Sequence, residues 1–382
     1  MTAYLDHNAT TRVDDRVFEA MRPWLQEAYG NPSSVHRIGR AARTAVDVAR
    51  QQVATLVGAQ PSQVIFTSGG TEANNLALVG VIHSHPDMIL AHSAIEHSSV
   101  LEMVQHLQGQ GTQCVEIAVQ ANGQVSTEAS QQALDKGAGL VSVMLANNET
   151  GAVQPIQDIQ QQTAAANAIL HVDAVQAAGK LPLQSLMSGV DLVSLSAHKL
   201  YGPKGVGALI RRENIELVPM MLGGGHEQGL RAGTENVASI VGFGMAAELA
   251  VSELETRRQH MQGLQDRLLK RLDAMQGVTI FARDAERVVN TIQMGVAGIE
   301  GETLLLTLDQ QGYAVSSGSA CSSSSNEPSH VLMAMGIDRE LARNAIRVST
   351  GKDTTLAEID GFCDALQGQL DMLKRFSAVL AR

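Results

Sequence analysis

The sequence is short of several things, and each absence narrows the field. Cysteine is scarce: Cys114, Cys321 and Cys363 are the only three in 382 residues. An odd, widely spaced set is no disulfide framework, and no C-x-x-C pair or Cys/His cluster supplies zinc spacing. A reducing cytoplasm fits such a chain, and no metal is expected. Basic charge is also lacking, since 28 Lys and Arg against 39 Asp and Glu leave a formal net charge of −11. That argues against sequence-independent nucleic-acid binding and against docking on an anionic membrane. The start, Met1-Thr2-Ala3-Tyr4-Leu5-Asp6, has neither the basic residues nor the apolar core of a signal peptide, and no apolar run reaches spanning length. A Walker phosphate loop, a G-x-G-x-x-G and internal repeats are missing as well.

What is present is alternation. Asp14-Asp15 caps a helix carrying Val17, Met21, Trp24 and Leu25. A longer helical pattern puts Ala41, Ala45, Val48, Val53 and Leu56 on one face and stops at Gly58. Short apolar runs at 63–66, 88–91, 114–119, 140–145, 169–172 and 191–195 read as strands, with helical patterns at 98–107, 127–134 and 156–166. Strands alternating with helices predict an α/β fold, a mainly parallel sheet covered on both faces, whose ligands bind beyond the carboxyl ends of the strands. Residues 236–275 read as one long helix that bridges two domains. Residues 14–255 then form the large domain. Residues 1–13 and 256–382 form a smaller α+β domain, with strands at 278–281 and 291–294 and a last helix from about 355.

Four strand ends carry polar residues of chemical interest. Ser68-Gly69-Gly70-Thr71 lies between a strand and a helix, where glycines and a helix N-terminus either cradle an anion or simply turn the chain. Asp173, in His171-Val172-Asp173-Ala174-Val175-Gln176, either pairs with a cation such as a protonated ring nitrogen or caps a helix. His97 either stacks on a flat ring and moves a proton or has a structural role. Lys199, in Ser194-Leu195-Ser196-Ala197-His198-Lys199, ends a strand just before Gly202-Pro203, so it is either a solvated lysine or a fixed amine able to form a Schiff base. An anion cup, an acidic ring partner, a stacking histidine and an amine on one sheet edge match what pyridoxal 5'-phosphate requires.

Ordered motifs then run nearly end to end. They include Tyr4-Leu5-Asp6, Asn31-Pro32-Ser33-Ser34, Phe66-Thr67-Ser68-Gly69, Asn147-Asn148-Glu149 and Ser196-Ala197-His198-Lys199. Further on come Gly223-Gly224-Gly225-His226-Glu227, Arg231-Ala232-Gly233-Thr234, Ser316-Ser317-Gly318-Ser319-Ala320-Cys321 and Ile346-Arg347-Val348-Ser349. In these the chain resembles the cysteine desulfurases of the NifS/IscS-like group, within the class V aminotransferase family of pyridoxal-phosphate enzymes. It departs from many members at Leu222, where they carry histidine, and at Thr150, where they carry isoleucine.

The resemblance implies an aspartate aminotransferase-like fold (fold type I) and a homodimer. Lys199 would hold the cofactor covalently, Asp173 would face its ring nitrogen, and Gln176 its phenolic oxygen. His97 would stack on the ring and take part in proton transfer. Gly70, Thr71, Ser196 and His198 would bind the phosphate, joined by Thr234 of the second subunit. Asn148, Asn31 and Arg347 would contact the substrate, with the Arg347 fork on the α-carboxylate. Cys321, on a serine-rich loop expected to be mobile, would take sulfur from L-cysteine as a persulfide and leave L-alanine. The sulfur would pass to an acceptor such as an iron–sulfur scaffold protein, or into thiolation. Another class V reaction, selenocysteine lysis or transamination, is the alternative. A non-catalytic sulfur-carrying adaptor would be expected to have lost Lys199, Asp173 or Cys321, and all three are present.

Overall fold

A computed structural model describes residues 2–317 and 327–380, with side chains described to residue 372. Seven strands form the main sheet, in the order Val64–Thr67, Gly207–Arg211, Leu192–Ser196, Ile169–Asp173, Ala138–Ser142, Ile89–Ser93 and Cys114–Ile117. Gly207–Arg211 runs antiparallel to both neighbours, and the other pairings are parallel. Parallel strands need crossover helices, which cover both faces and let the strands be apolar throughout. Leu192–Ser196 is accordingly buried along its whole length. Val193 and Leu195 join one apolar cluster with Val46, Val53 and Phe243, while Leu192 joins the other with Leu76, Val104 and Leu107. The period-two alternation of a strand thus sends neighbouring side chains to helices on opposite faces.

A four-stranded antiparallel sheet follows, in the order Ser316–Ser317, Ala345–Ser349, Thr291–Val296 and Val278–Ile280. Its own apolar cluster draws on the helices Leu254–Leu272, Gly301–Gln310 and Leu356–Leu380, and includes Leu5 from the N-terminal segment. That segment is tied in by the parallel pairing of Ala3–Tyr4 with Tyr313–Ala314.

Three expectations are corrected, and one strand is added. The single helix over 236–275 is two helices, Val237–Ser252 and Leu254–Leu272, bent by 71°. The first is apolar on nearly every side and buried, while the second is charged and amphipathic. The break falls at Glu253, whose carboxylate binds Arg16 and Arg257. The inner face of Arg37–Val57 is rotated from the expected one. Ala42, Val46, Ala49, Val53 and Leu56 are buried, but Val48 is 53% exposed and Ala41 is also exposed. The close approach of Gly244 selects that face, because a Cβ on Gly244 would lie 2.6 Å from the Ala49 Cα. Leu25 in the first helix is likewise exposed rather than inward-facing. Gly207–Arg211 is a strand that no sequence pattern announces, because it follows directly on the Gly202–Gly205 turn. Glycine is required at 207, since a Cβ there would meet the Gly69 backbone at 2.6 Å. The Ser68–Gly70 loop therefore lies directly over this strand.

Candidate active site

A cavity of about 230 Å³ opens at the carboxyl edge of the main sheet. It lies just past the ends of five strands, as a doubly wound sheet dictates. Its walls include Gly70 and Thr71, His97, Asn148, Asp173 and Gln176, and Ser196, His198 and Lys199. The motifs read from the sequence therefore converge, because each occupies the same topological position on a different strand.

The anion end is built from the loop and helix that follow Val64–Thr67. The helix Gly70–Ser84 begins at the cavity, so its N-terminal N–H groups and dipole favour a negatively charged ligand there. Gly70 packs against Val175, where a Cβ would come within 2.8 Å of a methyl group. Glu72 fixes the turn by accepting from the Ser68 N–H at 2.7 Å and from Arg231 at 2.9 Å. His198 faces the same end. Burial, with Lys199 and Lys204 nearby, pushes it down to about 4, so it enters as a neutral ring at pH 7. Its Nδ1 lies 3.1 Å from the Thr10 hydroxyl.

Asp173 sits at the end of Ile169–Asp173 and is 6% exposed. Its Oδ1 accepts from the Val175 N–H at 2.9 Å and its Oδ2 from Asn74 Nδ2 at 2.7 Å. The first bond is the one an N-cap would make, but a turn rather than a helix follows. A carboxylate accepts about four hydrogen bonds, so capacity remains for a ring N–H. Asn74 also donates to Ser99 Oγ at 2.8 Å. Ser99 Oγ lies 2.8 Å from His97 Nδ1, which accepts from the Ser99 N–H at 3.1 Å. Nδ1 is thus the acceptor, which leaves Nε2 to carry the ring proton. His97 is at once the N-cap of Ser98–Gly109 and a wall of the cavity.

Lys199 ends a short 3-10 turn, Ala197–Lys199. Its Nζ donates to the Asn8 and Ala9 carbonyls at 2.5 and 2.8 Å. Tyr201 follows with φ 69°, a left-handed conformation unusual for a tyrosine, and is held by Thr11 and the Lys352 N–H. Arg347 is on Ala345–Ser349 of the small sheet and is not among the cavity's lining residues. It is buried, donating to Asp6 at 2.7 Å and to the Asn148 carbonyl at 3.0 Å. Its Nε is a buried donor with no partner.

Besides Arg347, two expected residues are not brought to this cavity by the chain's own fold. Asn31 is exposed and accepts from the Ser33 N–H at 2.8 Å, and Thr234 is exposed outside the cavity. Cys321 lies outside the described residues. On either side of that segment, Ser316 pairs with Arg347 across the small sheet, and Ser329 donates to Glu149 at 2.5 Å. His330 Nε2 lies 3.0 Å from the Glu96 carbonyl. Of the other cysteines, Cys363 packs in the small core, whereas Cys114 is only half-buried because its strand is at the sheet edge. Among the described residues, no group of three or more His, Cys, Asp or Glu could hold a metal.

Sequence reasoning missed Asn74, Ser99, Asn8 and Asp6. Asn74 had a signal: it is three residues from Thr71, on the same helix face, just before the apolar run Leu76–Ile82. Asn8 had none, since its partners lie more than 130 residues away in the chain.

An amine, a carboxylate held by neutral donors, and an anion-binding helix end make the donor set of a pyridoxal-phosphate enzyme, and the residues present fit that cofactor. The chain belongs to the aminotransferase class-V family, which it matches over residues 3–362. It is 42% identical to the cysteine desulfurase IscS of Dictyoglomus turgidum, over 98% of this chain and 96% of that protein. A solved NifS-like protein superposes with a TM-score of 0.91 at 39% identity, covering 97% of this chain and all of that one. The structure of SspA in complex with cysteine gives 0.82 at 33% identity, over 93% and 100% of the two chains.

Proposed function

We propose that the chain is a pyridoxal-phosphate cysteine desulfurase that converts L-cysteine to L-alanine, with Cys321 keeping the sulfur as a persulfide. The observation that carries this is the convergence of Lys199, Asp173, His97 and the Gly70–Thr71 helix end on one cavity. The IscS and NifS-like relatives supply the choice of reaction. Pyridoxal 5'-phosphate, when bound, supplies an electron sink for cleavage next to the amino-bearing carbon.

The protein's own residues do the rest. The helix end, Ser196 and neutral His198 would hold the phosphate. Asp173, fixed by Asn74 and Val175, would accept from the ring nitrogen and favour its protonated form. His97, with its proton on Nε2, is a donor at the cavity wall. Arg347 offers a guanidinium to the substrate carboxylate. In the overall exchange, the substrate C–S bond and the Cys321 S–H bond are replaced by the S–S bond of the persulfide and a C–H bond of alanine.

The working unit is a homodimer. Its support is that Thr234 and Asn31 lie outside this chain's own cavity, while Tyr29, Val35 and Leu222 are 77%, 87% and 85% exposed. The sulfur goes to acceptor proteins, with iron–sulfur cluster assembly the leading route, and the setting is a reducing cytoplasm. The test is to give L-cysteine to the loaded protein, measure alanine, and weigh the peptide containing Cys321. Alanine with one added sulfur on that peptide is expected. Alanine formed at the parental rate by Cys321→Ala would overturn the mechanism.

A further inference from the structure

Lys180 is a buried cation that none of the motifs uses. It lies four residues beyond Gln176, in the turn after Ile169–Asp173, and is 7% exposed. Its Nζ donates to Gln176 Oε1 at 2.9 Å and to Asn8 Oδ1 at 3.1 Å. Nζ is the donor in both bonds, so both amides turn their oxygens toward it.

The remaining bonds agree with that orientation independently. Gln176 Nε2 donates to the Asn8 carbonyl at 2.9 Å. Asn8 Nδ2 donates to the Asn148 carbonyl at 3.1 Å and to Thr291 Oγ1 at 2.8 Å. Flipping either amide would set its oxygen against a carbonyl oxygen that now accepts from its N–H. Gln176 spends one N–H on Asn8 and has a second for the cavity that it lines.

The site tolerates Lys180 at a cost. Burial, then Lys199 and Arg347, push it down to about 7, and His7 beside it is pushed down to about 4, chiefly by its own burial. A buried cation kept at such a cost calls for a function that a methionine of similar size would not serve.

We propose that Lys180 is a positioning residue that locks the Gln176 amide so that its N–H, not its carbonyl, faces the cofactor's ring oxygen. The inference rests on the pyridoxal-phosphate reading. An anionic ring oxygen that loses a donor holds its neighbouring proton more tightly, so the loaded protein's visible absorbance should titrate at higher pH.

The experiment loads the parent, Lys180→Met, Gln176→Leu and the double variant with pyridoxal 5'-phosphate. Visible absorbance is then titrated between about pH 6 and 10, a range centred on the amine equilibria of such a site. Lys180→Met should raise the midpoint by about one unit, a tenfold change in the equilibrium, and should add nothing further in the Gln176→Leu background. The parental midpoint in Lys180→Met, or an equal shift in both backgrounds, would overturn the proposal. Lys180→Gln decides the matter even where Lys180→Met fails to fold. It keeps an N–H donor without the charge, so positioning predicts a near-parental midpoint and a bare charge effect predicts the full shift. A parent chain with no visible band would overturn the function as well as this role, whereas a normal parent with an indifferent variant overturns this role alone.

Discussion

The cavity at the sheet edge and the cleft beside Arg50 use buried charge in opposite ways. The cleft is the larger, about 420 Å³ against about 230 Å³. In it opposite charges meet each other: Arg50 forks onto both oxygens of Glu227 at 2.8 and 2.7 Å, and Glu227 also accepts from the Phe66 N–H. In the cavity, neutral dipoles hold Asp173, with the Asn74 amide on one carboxylate oxygen and the Val175 N–H on the other. A charge neutralised by a counter-ion is structural. A charge oriented by neutral dipoles keeps its field for a ligand, which is how preorganised sites work. Size alone would have picked the wrong hollow.

The largest effect separates the two regions outright. Lys199→Ala should lower alanine formation by about 10²–10⁴-fold or more, as expected when a positioned reacting group is lost, with a melting temperature close to the parent's. Arg50→Met should do the reverse. Leaving Glu227 buried without its partner costs about 3–5 kcal/mol, visible as a lowered midpoint in denaturant, with turnover per folded molecule nearly unchanged. A catalytic collapse in Arg50→Met at full stability would erase the contrast.

A smaller effect concerns pH. His171 is fully buried between Ser142 and Ser194, bonding each at 2.9 Å, and burial pushes it down to about 4. Its folded pKa is below its unfolded one, so the unfolded state takes up a proton first. Stability should therefore fall as pH drops from about 6.5 to about 4, by roughly 3 kcal/mol in all, and be independent of this group above that window. His171→Asn should flatten the slope of melting temperature against pH within it. Glu96 has the opposite sign: burial raises it to about 8, so its contribution is lost as pH rises toward that value.

The smallest effect sharpens the idea of neutral support. Asn74→Leu removes one donor from Asp173 and one from Ser99, and so uncouples Asp173 from His97. Leaving such acceptors buried and unpaired costs about 1–3 kcal/mol, which should appear as about tenfold or greater loss of cofactor affinity in equilibrium dialysis. Unchanged affinity would mean that Asp173 needs no neutral support.

Much of the fold was legible because it rests on local pattern. Apolar runs alternating with helical spacing dictated the parallel sheet, and the topology of such sheets placed Gly70, His97, Asp173 and Lys199 at one edge. Position along a strand is a one-dimensional property. What the pattern could not carry was rotation and partnership. The face of Arg37–Val57 was settled by Gly244, far along the chain, and the break at Glu253 by arginines on either side of it. Asn8, Asn74 and Lys180 read as ordinary polar residues because a hydrogen bond across the chain leaves no periodicity behind. The sequence by itself determined which chemical groups the site contains and on which edge they stand. Only the tertiary structure decided which way each amide points and which charges neutralise one another, because those depend on distances between segments that no local spacing encodes.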